Sequence, residues 1–231
     1  MSNIEQIKYL LSLCTPVQRQ EIFRYLRKEF PIHSLEVELN TEAEIILEAI
    51  QRAGGLTLRM IRGVIAEAAF RIDVTARLSG WTNITPLGDL PYDFLLSDSQ
   101  GTVRVQVKLQ RSLGRRPMWA SEAYRFLPKD MYVVETQRTR GGSNRKTGGL
   151  TRPYRFGEFD LLAVAMYPST NRWDKFMYTV SDWLLSREAD PSEMLKFQPV
   201  ATVPNDDWTD NFYRAVEWWR AGVKKKIRGD R

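Results

Sequence analysis

The stretch Val103-Arg104-Val105-Gln106-Val107-Lys108-Leu109-Gln110 alternates apolar and polar side chains without a fault. Successive side chains of a strand point to opposite faces, whereas a helix repeats every 3.6 residues, so strict alternation over this length selects a β-strand. The valines and Leu109 are expected on a core face. Arg104, Gln106, Lys108 and Gln110 are expected on a polar, partly basic one.

Just upstream, Pro91-Tyr92-Asp93-Phe94-Leu95-Leu96 reads as a second short strand, and Ser97-Asp98-Ser99-Gln100-Gly101 is turn chemistry. A hairpin centred on Ser99 and Gln100 sets Asp93 opposite Gln106. Directly opposed residues have Cβ atoms roughly 4.5–5.5 Å apart on one face. Asp93, Gln106 and Lys108 then converge, and a slip of one residue would send Asp93 to the other face.

Helical patterns precede this hairpin. Ile4–Leu13 is one; Thr15 caps a second, with Pro16 at its first position and a run to Glu29; a Thr41-x-x-Glu44 capping box opens a third to Ala53. Leu35–Leu39 reads as strand-like, with His33 in the connector before it. Gly54-Gly55 separates this lead-in from a long helix, about Thr57–Leu78. Strands are predicted at Trp81–Thr85, Tyr132–Thr136, Phe159–Met166 and Phe176–Val180, with helices near Met118–Phe126 and Asp207–Ala221. The class predicted is α/β: a mixed β-sheet core flanked by helices, with a small N-terminal helical region. For 231 residues this divides the chain into residues 1–54 and residues 55–231.

Scarcity narrows the chemistry. One histidine, His33, and one cysteine, Cys14, are too few for a structural zinc site, a disulfide framework or a redox pair. Nucleophilic triads would have to run through His33 alone. Carboxylates, lysine and a hard metal ion remain. No apolar run approaches the about 20 residues of a membrane span, so no membrane partner is expected. A lone cysteine and no signal-like start favour a cytoplasmic setting.

Charge is concentrated. Between Arg104 and Arg155 there are 13 basic and 3 acidic residues, although the whole chain is only +6. Such a band is the footprint of a phosphate-backbone binder, or else a solvated basic surface. A second cluster, Arg220 to Arg228, could extend it, but reads better as a frayed tail.

An Asp, an amide oxygen and a Lys are a workable kit for phosphodiester hydrolysis: hard oxygens hold Mg²⁺, and an ammonium offsets charge on phosphate. At these residues the sequence resembles the PD-(D/E)xK nuclease superfamily, type II restriction endonucleases in particular. The matching positions are Pro91-Tyr92-Asp93, twelve intervening residues, and Gln106-Val107-Lys108, with Glu67 on the preceding helix as the extra acid. The pattern spans about Thr57–Thr136. Tyr92 separates Pro91 from Asp93, and Gln106 stands where an acid is usual, a Gln-x-Lys variant similar to that of Mrr-type nucleases.

The resemblance implies a restriction-endonuclease-like core and Mg²⁺-dependent, site-specific cleavage of double-stranded DNA leaving 5′-phosphate ends. Asp93, Gln106, the Val107 carbonyl and Glu67 would hold the metal, Lys108 would assist the attacking water, and a homodimer would match a palindromic site. Glu67 also has an ordinary alternative, a surface pair with Arg71.

Gln137-Arg138-Thr139-Arg140-Gly141-Gly142-Ser143-Asn144-Arg145-Lys146-Thr147-Gly148-Gly149 follows a predicted strand. Arg, Asn and Gln read base edges, while Ser and Thr hold phosphates. It is no Walker loop, because Arg145 stands where glycine is required, so no nucleotide cofactor is expected. Arg111, Arg115, Arg116, Arg152 and Arg155 are the expected phosphate contacts. The alternatives are a junction-resolving or repair nuclease of the same fold, and a DNA-binding protein without catalysis.

Overall fold

In the computed structural model, residues 2–30, 34–138 and 153–229 are described. The chain divides into two units, residues 1–58 and 59–231.

The first unit is helical. α1 (Asn3–Leu13) and α2 (Pro16–Glu29) each begin with a reciprocal capping box, Ser2 with Glu5 and Thr15 with Gln18. α3 (Ser34–Glu38) stands where the alternation of Leu35, Val37 and Leu39 suggested a strand. α4 (Ala43–Arg52) is capped at Glu42, and the Thr41–Glu44 box is not made. Instead the Ala43 N–H donates to the Glu36 carboxylate at 2.9 Å, so an acid from α3 satisfies an orphan donor of the first turn. None of the described residues of this unit is buried.

α5 (Gly55–Ala69) enters the second unit, where it buries Ala66 and Ala69. The helix continues as a π turn at Phe70–Val74 and a 3-10 turn at Thr75–Arg77. Phe70 is fully buried, with its ring 5.0 Å from that of Phe94 and 5.4 Å from that of Phe176. That aromatic cluster fastens α5 to a five-stranded sheet.

The sheet is built from β1 (Thr82–Asn83), β2 (Phe94–Asp98), β3 (Gly101–Leu109), β7 (Leu161–Ala165) and β8 (Phe176–Val180) in that spatial order. β4 (Ser112–Leu113) and β5 (Arg116–Pro117) form a small ribbon, and β6 (Tyr132–Glu135) pairs with β9 (Phe197–Val200). β3 and β7 are parallel, while the other neighbours are antiparallel. Every residue of β7 and β8 is buried, as expected where layers cover both faces. α6 (Ala120–Ala123) is one turn of the longer helix expected at Met118–Phe126; α7 (Tyr167–Thr170) follows β7, and α8 (Phe212–Arg220) packs on β7 and β8. This is the α/β class predicted: a mixed sheet flanked by helices.

The cluster from Arg220 to Arg228 is not a frayed tail. Ile227 is 2% exposed and its N–H donates to the Trp183 carbonyl at 2.8 Å. Lys226 Nζ donates to the Asp182 and Leu184 carbonyls at 3.0 and 2.8 Å. The lysine run keeps its ammoniums at the surface while one apolar residue anchors it.

Candidate active site at the mouth of the hairpin

β2 and β3 pair as Phe94–Val105 through Asp98–Gly101, the register required by a turn at Ser99 and Gln100. The ladder extends one step further, because the Asp93 N–H donates to the Val105 carbonyl at 3.1 Å. Asp93 therefore lies opposite Gln106. Its Oδ2 accepts from Gln106 Nε2 at 2.5 Å and from the Val107 N–H at 2.7 Å.

Gln106 is not on an exposed polar face. It is 1% exposed, because β3 is a central strand flanked by β2 and β7 and covered on both sides. An amide buried there needs partners, since one left unpaired costs about 1–3 kcal/mol. Gln106 Nε2 finds two, the Asp93 carboxylate and the Val107 carbonyl at 3.2 Å. Farther along the same face, Gln110 Oε1 accepts from the Ser169 N–H at 3.1 Å, and Gln110 Nε2 is a buried donor with no partner.

Glu67 faces the same place from α5. Burial and the negative charge of Asp93 push its carboxyl up to about 7, against the pull of Lys108. Burial likewise raises Asp93, offset by Lys108 and the Val107 N–H. The structure thus brings Glu67, Asp93, Gln106 and Lys108 together. No ion pair joins Glu67 to Arg71 among the described residues.

Tyr154 was not singled out by sequence reasoning, beyond its place between Arg152 and Arg155. It is 5% exposed, and Lys108 Nζ sits 5.1 Å from its ring centroid. The Arg138 guanidinium is 5.5 Å from the same centroid and bonds Glu158 at 2.6 Å. Burial raises the Tyr154 phenol, while Lys108 lowers it. An aromatic residue inside a basic segment was the one sequence signal for this role.

The oxygen donors suit a hard cation: two carboxylates, the Val107 carbonyl and the Gln106 amide. No group of three His, Cys, Asp or Glu side chains is poised for a metal among the described residues, so an amide and a backbone carbonyl must complete such a set. At present the Gln106 amide nitrogen donates to Asp93 Oδ2 and the Val107 oxygen. An electropositive group already sits between two oxygens assigned to the metal by resemblance, and turning the amide would present Oε1. On this chemistry the residues fit.

Five of the nine described basic residues of the band are ion-paired within the chain. Arg104 pairs with Asp160 through contacts of 2.6 and 3.1 Å, and Arg111 with Glu135 at 3.1 Å. Arg116 grips Glu122 at 2.5 and 2.8 Å; with the Trp119 N–H also donating, this carboxyl falls to about 2. Arg155 bonds Glu193 at 3.3 Å. Arg115 is exposed and has no ion pair among the described residues. Gln137 bridges to Pro153. Arg140, Ser143, Asn144, Arg145, Lys146, Thr147, Arg152 and His33 lie outside the described residues.

No helix among the described residues is long and apolar enough to cross a membrane. No protein-family model matches the chain. No curated protein matches it either. Among solved structures the chain is similar to a bacterial homing endonuclease, I-Ssp6803I, at 22% identity, over 73% of this chain and 93% of that one, with a TM-score of 0.37.

Proposed function

We propose that the protein is a Mg²⁺-dependent endonuclease that hydrolyses double-stranded DNA at specific sites, in the manner of type II restriction enzymes, and acts as a homodimer. The observation that supports this is the meeting of two carboxylates, an amide and an ammonium at one hairpin mouth. The two acids resist ionisation where they stand, as expected of a site designed around a cation.

When bound, Mg²⁺ would polarise the scissile phosphate and acidify an attacking water. Asp93 and Glu67 would hold it with the Val107 carbonyl, and Gln106 would join them once its amide turns. Lys108 Nζ, supported by the Tyr154 ring, would donate to the phosphate oxygens as charge grows on them and orient the attacking water. The Val107 N–H keeps Asp93 Oδ2 in line. The products would carry 5′-phosphate and 3′-hydroxyl ends.

A second reading is a junction-resolving or repair nuclease built on the same site. It is favoured by Arg138, the described arginine of the segment expected to read bases, being held by Glu158 of its own chain. Cleavage assays with Mg²⁺ on plasmid and on four-way junctions separate the two. Discrete plasmid fragments support site-specific cleavage, whereas cutting confined to the junction supports the second reading. Full Mg²⁺-driven cleavage by Asp93→Asn would overturn the ligand assignment in either case.

A further inference from the structure

We infer that the helical unit of residues 1–58 is the surface through which two copies of this chain associate. This rests on the two-copy reading above and supplies its interface.

Fifteen large apolar side chains between Ile4 and Leu56 are at least 41% exposed, and no described residue of the unit is buried. Summed over all fifteen, they offer on the order of 1,000 Å² of apolar surface, against the ~800 Å² that each partner buries in a standard interface. They are ordered into stripes. Phe23 and Leu26, 59% and 41% exposed, lie three residues apart on α2, with Phe30, 69% exposed, at its C-cap, and Ile4, Ile7 and Leu10 recur every three residues along α1. That spacing puts Phe23 with Leu26, and Ile4 with Ile7 and Leu10, on one side of each helix, the arrangement of a face that seeks cover.

Charge identifies the cover as a second copy. α2 carries Arg19, Arg24, Arg27 and Lys28 against Glu21 and Glu29, a net positive helix, while α4 with its cap carries Glu42, Glu44 and Glu48 against Arg52, a net negative one. Arg27 and Glu44 meet within one chain, so the basic helix and the acidic helix lie side by side. A surface that is basic along one helix and acidic along its neighbour matches itself after a half-turn, α2 of one copy over α4 of the other. A two-fold pairing of this kind uses each patch twice and closes.

Sedimentation velocity on the full chain at ~10 μM tests this. The wild type should run at twice the 26.9 kDa of one chain. The variant Phe23→Glu/Phe30→Glu should run as a monomer, its dimer dissociation constant raised at least ~100-fold, as expected when two aromatic anchors are lost. Both side chains are exposed in the single chain, so the near-ultraviolet signal of the tryptophans should not change. Arg24→Glu should weaken the dimer, and adding Glu42→Arg should restore it. A monomeric wild type, whether its face is left bare or taken by another partner, overturns the inference. So does a double variant that stays dimeric. Cleavage is read separately, so a failed nuclease reading leaves these masses unchanged.

Discussion

Replacing Glu67 by Gln tests whether the hairpin mouth is strained at neutral pH until a cation arrives. The folded protein holds the Glu67 carboxyl at about 7, against an ordinary 4.5. Because the folded value lies above the unfolded one, the folded chain binds the proton more tightly. Glu67 therefore costs nothing below about pH 4.5, and its cost grows as pH rises through 7. The ceiling is about 3 kcal/mol at pH 8. The carboxyl is partly open to water, and screening brings the working figure to about 1 kcal/mol. Urea unfolding in EDTA should thus find Glu67→Gln equal to the wild type near pH 4.5 and about 1 kcal/mol more stable at pH 8. Excess Mg²⁺ should then stabilise the wild type at pH 8 more than the variant, by up to ~2.7 kcal/mol at a hundred times the dissociation constant. A variant less stable than wild type at pH 8, or a difference that does not change with pH, would refute the reasoning.

Tyr154→Leu removes the ring beneath Lys108 and Arg138 and should lower both the thermal midpoint and the cleavage rate, whereas Tyr154→Phe should keep most of both; differential scanning calorimetry and a plasmid assay read the pair. Gln106→Leu leaves the buried Asp93 carboxylate short of a donor and should cost about 1–3 kcal/mol at pH 8, measured by urea unfolding. Ile227→Ala should cost about 2–5 kcal/mol by the same measurement, where a loose tail would cost nothing.

The part of the site carried by β2 and β3 was legible because its determinants are local. Alternation fixes which residues share a face, and turn chemistry at Ser99 and Gln100 fixes the register, so Asp93 opposite Gln106 followed from a dozen residues. The burial of Gln106 was not legible, since it depends on β7, more than 50 residues away in sequence, lying beside β3. The ion pairs within the basic band were not legible for a similar reason. Counting Arg104 to Arg155 omits Glu158, Asp160, Asp190 and Glu193, which lie outside the window yet hold Arg138, Arg104 and Arg155 in space. β9 was missed because Pro199 interrupts its pattern, and it pairs on one side only, with β6. The frayed-tail reading of the C-terminus failed on Ile227, whose burial a run of lysines conceals. Leu35–Leu39 shows the limit of alternation: over five residues it did not exclude one turn of helix.

Cleavage of supercoiled plasmid in Mg²⁺ by the wild type and by Lys108→Ala tests the account at its centre. The wild type should give defined fragments, and the variant should cut about 10²–10³-fold more slowly while binding the same DNA with little change. DNA bound by both proteins and cut by neither, or cut equally by both, would contradict it.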